Sequence, residues 1–194
     1  MKLKILISII TFLLLATTAT ALTLEGRCAI KFLGESTLSD FDGQAICQPF
    51  TLKTEGETGK AGIIRQPVVK VLVGKMDTDN SGRDKKMYAM FEQEKYPEIH
   101  GLFADLNPDV ILQQWRASSI PGRLKFDLMI REVSQSVEAT ISDLIVTLEQ
   151  ISFVMKFPLS LASFQLEPPS VFGVIRVDDK VRVEARVFLR KPLD

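Results

Sequence analysis

Few residues of this 194-residue chain have the side chains and spacing that catalysis requires. His100 is the only histidine, so no second imidazole is present from which to build a zinc site. No G-x-S-x-G or similar turn offers a serine that this histidine could activate. His100 lies in a strand-like segment, where a hydrogen-bonded structural role is expected. The chain is therefore predicted not to be an enzyme, with no catalytic residues, no metal and no cofactor.

Two alternatives to that prediction stay open. Asp77, Asp79, Asn80 and Asp84 have the oxygen-rich composition of a calcium loop, but the twelve-residue spacing and its terminal glutamate are missing. Helix capping accounts better for Asp84. An enzyme would need His100 or a pair of carboxylates to line a cavity.

Cys28 and Cys47 lie symmetrically about the turn predicted for the first hairpin, since their midpoint falls within residues 35–39. Residues placed in this way face each other across the strands, within the roughly 5.5 Å between Cα atoms that a disulfide requires. A redox-active pair would have C-x-x-C spacing, which is absent here. We therefore predict a structural disulfide between the two cysteines.

Residues 1–21 have the features of a secretory signal peptide. Lys2 and Lys4 form a basic start, residues 5–16 an apolar run, and residues 19–21 a small-x-small cleavage site. The apolar run is shorter than the roughly 20 residues of a membrane span, and an uncleaved anchor is the alternative. We predict an exported, periplasmic protein with no stable membrane anchor after cleavage, whose residues 22–194 form one domain.

The charge of the mature chain argues against electrostatic binding to nucleic acid or to anionic membrane surfaces. Removing Lys2 and Lys4 from the 24 basic residues leaves 22 against 24 acidic ones. A nucleic-acid-binding protein usually carries a basic excess. Any lipid contact is therefore predicted to come from apolar surface, and nucleic acid is not an expected partner.

Alternation of apolar and polar residues dominates the rest of the chain and indicates strands with one buried face. Leu24, Cys28 and Phe32 alternate with Glu25 and Lys31 in the first segment. The predicted strands are residues 23–33, 40–52, 62–74, 98–106, 122–131, 135–148, 151–164 and 172–190, the last with a tight break at Asp178 and Asp179. Such a series without repeated helices indicates an all-β sandwich or barrel.

One short amphipathic helix is predicted around residues 82–93. Ser81 and Asp84 have the spacing of a capping box, and Met87, Met90 and Phe91 make one apolar stripe. Pro97 prevents the helix from continuing. A lone helix in a β protein typically covers the end of a sheet, so these three residues are expected at the mouth of a pocket. Residues 107–121, which include Trp115, fit a short helix and a loop near one rim.

Three segments together resemble the YceI-like family of periplasmic proteins that bind polyisoprenoid lipids. Arg83-Asp84 and Glu94-Lys95-Tyr96-Pro97 resemble the family's helix start and its return to a strand. Residues 32–43 resemble its first hairpin, and residues 157–161, 168–169 and 177–181 its last part. The resemblance spans roughly residues 23–190. It implies a single antiparallel eight-stranded lipocalin-like β-barrel that holds one long apolar chain, and it brings no catalytic motif.

The combined prediction is a periplasmic carrier of a long-chain isoprenoid or similar amphiphilic lipid. Small inward residues, such as Gly26, Gly43 and Ala185, are expected to leave room in the barrel. The predicted cavity wall consists of Ile30, Phe32, Phe126, Leu128, Phe153, Met155, Phe157, Val183 and Val187. The alternative is a secreted interaction module with a filled barrel, which would bind a protein partner through Phe188, with Trp115 and residues 107–121 as further candidates for the same patch.

Overall fold

The alternating segments form one antiparallel sheet that curls into a barrel. The computed structural model describes residues 22–37, 39–55, 62–117, 121–168, 170–171 and 175–192. The predicted signal peptide, residues 1–21, lies outside these ranges. The strands are β1 (Thr23–Ser36), β2 (Phe41–Ile46), β3 (Phe50–Glu55), β4 (Ile63–Ile64), β5 (Val68–Leu72), β6 (Glu98–Leu102), β7 (Gly122–Ile130), β8 (Val133–Val146), β9 (Gln150–Ser160), β10 (Ser170–Val171) and β11 (Ile175–Arg190).

The eleven strand segments occupy eight positions around the barrel. β2 and β3 both pair with the same edge of β1, with a one-residue change of register between them, so they are two halves of one bulged strand. β4 and β5 similarly share the next position, because β4 pairs with β3 while β5 pairs with β6. The order then continues through β7, β8, β9 and β11 back to β1, and β10 pairs with the start of β11. The predicted all-β antiparallel barrel is confirmed, with eleven strand segments where the sequence predicts eight strands.

Isolated backbone bridges close the barrel between the β2–β3 side and the β5–β6 side. Cys47 bridges to Val71, and Gln44 to Asp77. The backbone nitrogen of Gln44 donates to the backbone oxygen of Asp77 at 2.7 Å, and the backbone nitrogen of Asp77 donates to the backbone oxygen of Gln44 at 2.9 Å. A closed barrel has no open edge on which another strand could pair.

The disulfide lies where the cysteine spacing predicts it. Cys28 of β1 and Cys47 are bonded, with 5.3 Å between their Cα atoms. The register of β1 and β2 pairs residues whose numbers sum to the same value as those of the two cysteines, as in Ala29 with Ile46. The bond therefore joins directly opposite positions and links β1 covalently to the bulge between β2 and β3.

Three glycines of β1 and β2 lie directly opposite phenylalanines on the neighbouring strand. A Cβ atom on Gly26, Gly34 or Gly43 would come within 2.1, 2.5 or 2.2 Å of the opposite ring. The pairs are Gly26 with Phe50, Gly34 with Phe41, and Gly43 with Phe32. Each ring therefore lies over the backbone of its glycine, an arrangement that also protects a glycine in a strand. The expectation that Gly26 and Gly43 leave empty space is wrong, because the rings occupy it.

Two helices accompany the barrel, α1 (Ser81–Met90) and α2 (Pro108–Ala117). α1 is the predicted helix, but its N-cap is Asn80, whose side-chain oxygen accepts a hydrogen bond from the nitrogen of Arg83. The predicted Ser81–Asp84 capping box is wrong because Asp84 instead binds Thr78. None of the helices in the described residues is long and apolar enough to cross a membrane.

The predicted tight break at Asp178 and Asp179 is an irregularity and not a turn, since β11 continues through both residues while its register against β1 shifts at this point. The carboxylate of Asp179 accepts hydrogen bonds from the nitrogen of Ala162 at 2.6 Å and from the hydroxyl of Ser160 at 2.7 Å. Asp179 thus fixes the short 3-10 turn that follows β9. The hydrogen bond from Ala162 lowers the pKa of Asp179 most, followed by that from Ser160.

We expect Asp179→Asn to lower the free energy of unfolding by about 1 kcal/mol at neutral pH, the usual contribution of such hydrogen bonds. Because the pKa of Asp179 is lower in the folded chain, its contribution is present above the pKa of the unfolded chain and is lost as the pH falls through the folded pKa. Urea unfolding at pH 7 and in the acid range measures the difference. Asp178→Asn, at the exposed neighbouring position, is the control. An equal loss at every pH would contradict this role of the carboxylate.

Candidate functional site

The interior of the barrel contains two apolar chambers. The first, of about 200 Å³, lies at the end covered by α2, and we call it the α2 chamber. The second, of about 170 Å³, lies at the end covered by α1, and we call it the α1 chamber. An eight-stranded barrel is just wide enough to be filled by side chains or to hold one small ligand. Here the interior is not filled.

The two chambers adjoin in the middle of the barrel. Five side chains line both of them and form a waist: Ile30, Val71, Ile99, Leu128 and Phe157. Because the chambers share these walls, they lie one after the other between the two helix-covered ends, and we call them together the lumen.

The predicted wall residues all line the lumen. Those of the α2 chamber are Ile30, Phe126, Leu128, Phe153, Met155, Phe157 and Val187. Phe32 and Val183 line the α1 chamber instead. Phe126 stacks on Phe103 with 5.1 Å between ring centroids and meets the edge of Phe157 at 5.4 Å. The inward positions follow from period-two alternation, while the role of these residues in ligand binding stays a prediction.

The predicted mouth residues, Met87, Met90 and Phe91, line the α1 chamber from the helix side. Met87 and Phe91 are only 7% and 5% exposed, so in this structure they close the chamber. The apolar stripe of α1 therefore packs over the end of the lumen, as its spacing predicts.

Polar contacts fasten α1 to the segment that precedes it. One carboxylate oxygen of Asp84 accepts from the nitrogen of Thr78 at 3.0 Å and from its hydroxyl at 2.5 Å. The hydroxyl of Tyr88 donates to the oxygen of Met76 at 2.6 Å. Burial raises the pKa of Tyr88, and the negative charges of Asp84 and Asp77 add to the shift. These bonds fix the position of α1.

The cover formed by α2 was not predicted in detail. Pro108, Ile111, Leu112 and Trp115 recur at i, i+3, i+4 and i+7, and all four line the α2 chamber. Asn107 begins the helix by accepting from the nitrogen of Val110. This apolar stripe, together with proline at the first helical position, is the sequence pattern from which an amphipathic helix at α2 can be predicted.

Trp115 closes the far wall of the α2 chamber. Its ring meets that of Phe153 edge to face, with 5.5 Å between centroids. A Cβ atom on Gly122 would come within 2.3 Å of the indole, so the ring lies against that backbone. Within the described part of the chain, no side-chain hydrogen bond or ion pair joins α2 to the barrel.

The lumen has almost no polar lining. Every described residue that lines the α2 chamber is apolar, counting the disulfide-bonded Cys28. In the α1 chamber, Thr78 and Arg83 are the polar exceptions among the lining residues. Both come from the segment around the start of α1. Sequence reasoning did not identify either residue as part of the site.

The residues that suggest catalysis or metal binding lie away from the lumen. Nε2 of His100 is 2.9 Å from a carboxylate oxygen of Glu98, which also binds Lys70 at 2.9 Å. The hydrogen bonds from Lys70 and then from His100 lower the pKa of Glu98. None of these residues lines either chamber. In the described ranges, no group of three or more histidine, cysteine or acidic residues is arranged to hold a metal ion.

The structure also tests the surface proposed for an interaction module. Phe188 points outward and is 39% exposed. Trp115 lines the α2 chamber, so it does not join Phe188 in an outer patch. That part of the alternative is wrong, because the apolar face of α2 turns inward.

Comparison with known proteins places this barrel among similar ones. The sequence matches the YceI-like domain family over residues 22–189. The structure is similar to that of BcnA from Burkholderia cenocepacia, with 10% identity and a TM-score of 0.59 over 83% of this chain and 95% of that chain. It is also similar to a polyisoprenoid-binding domain from Saccharophagus degradans implicated in plant cell wall breakdown, with 12% identity and a TM-score of 0.58 over 87% and 98% of the respective chains. At these identities the likeness shows a common fold. No curated protein matches the sequence.

Proposed function

The chain belongs to the YceI-like domain family, and from this premise we propose that it binds a long-chain isoprenoid or similar amphiphilic lipid in its lumen and carries it without turnover. The observation that carries the proposal is the apolar lumen itself, two adjoining chambers with a shared waist. The fold shared with a polyisoprenoid-binding domain supports the same ligand class.

The energetics favour long chains. Each methylene buried in an apolar site contributes roughly 0.8 kcal/mol. Ten buried methylenes therefore supply about 8 kcal/mol. A binding free energy of this size corresponds to about micromolar affinity, before the entropy cost of association is subtracted. A short chain would gain too little to stay bound. Because the walls make no pattern of hydrogen bonds along the lumen, selection by length and width is expected to exceed selection by chemical detail.

We place this carrier in the periplasm. The proposed removal of residues 1–21 would leave the barrel free of that apolar segment, and the Cys28–Cys47 disulfide supports an oxidising compartment. The ligand would then be an apolar chain that needs protection from water between two membranes. We propose neither a nucleic-acid partner nor a cofactor.

The carrier proposal is tested with protein purified from its own host. Native mass spectrometry should show a co-purified lipid, and added polyprenol should bind to delipidated protein. At a ligand concentration about a hundred times Kd, binding should add about 2.7 kcal/mol to stability, which raises Tm by about 5–10 °C for a domain of this size. If no lipid co-purifies, and neither polyprenyl nor fatty-acyl chains bind or raise Tm, the carrier proposal fails.

A further inference from the structure

Among the described residues that line the lumen, one side chain is charged and one other, that of Thr78, is polar. Arg83, in the first turn of α1, lines the α1 chamber. Its guanidinium carbon lies 4.9 Å from the centre of the Phe41 ring, a cation–π contact. One guanidinium nitrogen, Nη2, donates to the backbone oxygen of Thr78 at 2.6 Å. These two contacts hold the cation at the end of the lumen.

The hydrogen-bonding capacity of Arg83 is only partly used. Its Nε is buried and has no hydrogen-bond partner. Across the described residues, no carboxylate forms an ion pair with this guanidinium; the neighbouring Asp84 binds Thr78 instead. A buried donor without an acceptor costs free energy and calls for an explanation. An acceptor supplied by a ligand would remove that cost.

We propose that Arg83 binds the headgroup of the carried lipid, and that this headgroup is an oxyanion, either a carboxylate or a phosphate. A guanidinium offers several donors in a plane, which matches the two or more oxygens of these groups. The inference rests on the proposed carrier function and specifies its ligand: an anionic amphiphile whose polar end lies beside α1 and whose tail passes the waist into the α2 chamber.

The length of the lumen sets the length of the tail. β1 contributes Leu24 to the α2 chamber and Phe32 to the α1 chamber. At roughly 3.3 Å per residue these positions are about 26 Å apart along the strand, or about 20 Å along the axis of a barrel with the usual strand tilt. The acyl region of one membrane leaflet is about 15 Å, half of the hydrocarbon core. A tail at least as long as a membrane acyl chain is therefore needed to fill the lumen.

The headgroup is tested with three probes that share one tail: hexadecanoate, hexadecyl phosphate and hexadecanol. We expect the wild-type protein to bind at least one of the two anions more than tenfold more tightly than the alcohol. The tighter anion identifies the source of the oxyanion. Arg83→Met should weaken binding of that anion by roughly 10- to 100-fold, the usual effect of losing hydrogen bonds to a charged group. Binding of the alcohol should stay within about threefold, because the tail contacts are unchanged.

Lys86→Met is the matched control, since Lys86 lies on the exposed side of the same helix. Lys86→Met removes one positive charge from α1, as Arg83→Met does, but this charge lies outside the lumen. The preference for the anion over the alcohol should therefore stay intact. Retained alcohol binding shows that Arg83→Met is folded. If the wild type binds all three probes alike, or if the preference survives in Arg83→Met, the headgroup inference is wrong while the carrier proposal stands. If none of the probes and no polyprenol binds, the carrier proposal itself fails.

The orientation of the tail has its own test, because Trp115 is the only tryptophan and lies at the opposite end of the lumen. Hexadecanoate brominated near its methyl end should quench the fluorescence of Trp115, whereas hexadecanoate brominated near its carboxylate should quench it much less. The reverse order would place the headgroup beside α2 and would overturn the assignment of Arg83.

Discussion

Ala185→Phe is expected to reduce lipid affinity at least a hundredfold while leaving the barrel folded. Ala185 lies on β11 and lines the α2 chamber. A phenyl ring at this position would occupy space that the tail needs. Excluding four methylenes from the lumen would cost about 3 kcal/mol of binding, or a factor of more than a hundred.

The same substitution distinguishes an empty lumen from a packed core. A large residue forced into a well-packed interior usually costs 1–3 kcal/mol, whereas filling a cavity is neutral or stabilising. We therefore expect Tm of the ligand-free protein to stay the same or to rise. Arg186→Phe, at the exposed next position of the same strand, is the control and should bind lipid normally. Unchanged affinity in Ala185→Phe would show that the tail is held elsewhere.

Removing the disulfide has the second largest expected effect. The double substitution of Cys28 and Cys47 by alanine should lower the free energy of unfolding by about 3 kcal/mol, because the bond closes a loop with a sequence separation of 19. That loss corresponds to a fall in Tm of about 6–12 °C. The wild-type protein in reductant should behave like the variant, and reductant should not affect the variant further.

Mass spectrometry of the mature, non-reduced protein checks the bond directly. Two free thiols under oxidising conditions would reject the disulfide. They would also call the register of β1 and β2 into question, since that register places the two cysteines opposite each other.

The sequence predicted what local periodicity determines. The inward faces of β1, β7, β9 and β11 follow from period-two alternation, and so do the predicted lumen residues, because in a barrel the inward face is the wall. The pairing of Cys28 with Cys47 could be predicted because residues that face each other in a hairpin lie at equal distances in sequence from its turn.

The remaining features depend on contacts between distant segments. Asp179 has a residue type that is common in turns, but here its carboxylate accepts a hydrogen bond from Ala162 in the 3-10 turn after β9, which is distant in sequence. The spacing of Asp84 from Ser81 predicts a capping box, but in the structure its carboxylate accepts a hydrogen bond from Thr78. The sequence presents Arg83 only as part of a motif, since its position in the lumen depends on how α1 packs on the barrel. The apolar stripe of α2 follows from its spacing and the sequence predicts a position near one rim, but the chamber that this helix covers depends on tertiary contacts.

The paired glycines and phenylalanines of the first strands imply that the inner width of the barrel depends on residues behind the lining rings. Phe32, Phe41 and Phe50 lie over Gly43, Gly34 and Gly26, so each large ring covers the wall without projecting fully across the lumen. A larger residue at one of these glycines would displace the ring on the neighbouring strand inward. Relatives of this protein could therefore acquire narrower or wider bores, and so accept ligands of different girth, through changes at positions that the ligand itself never touches.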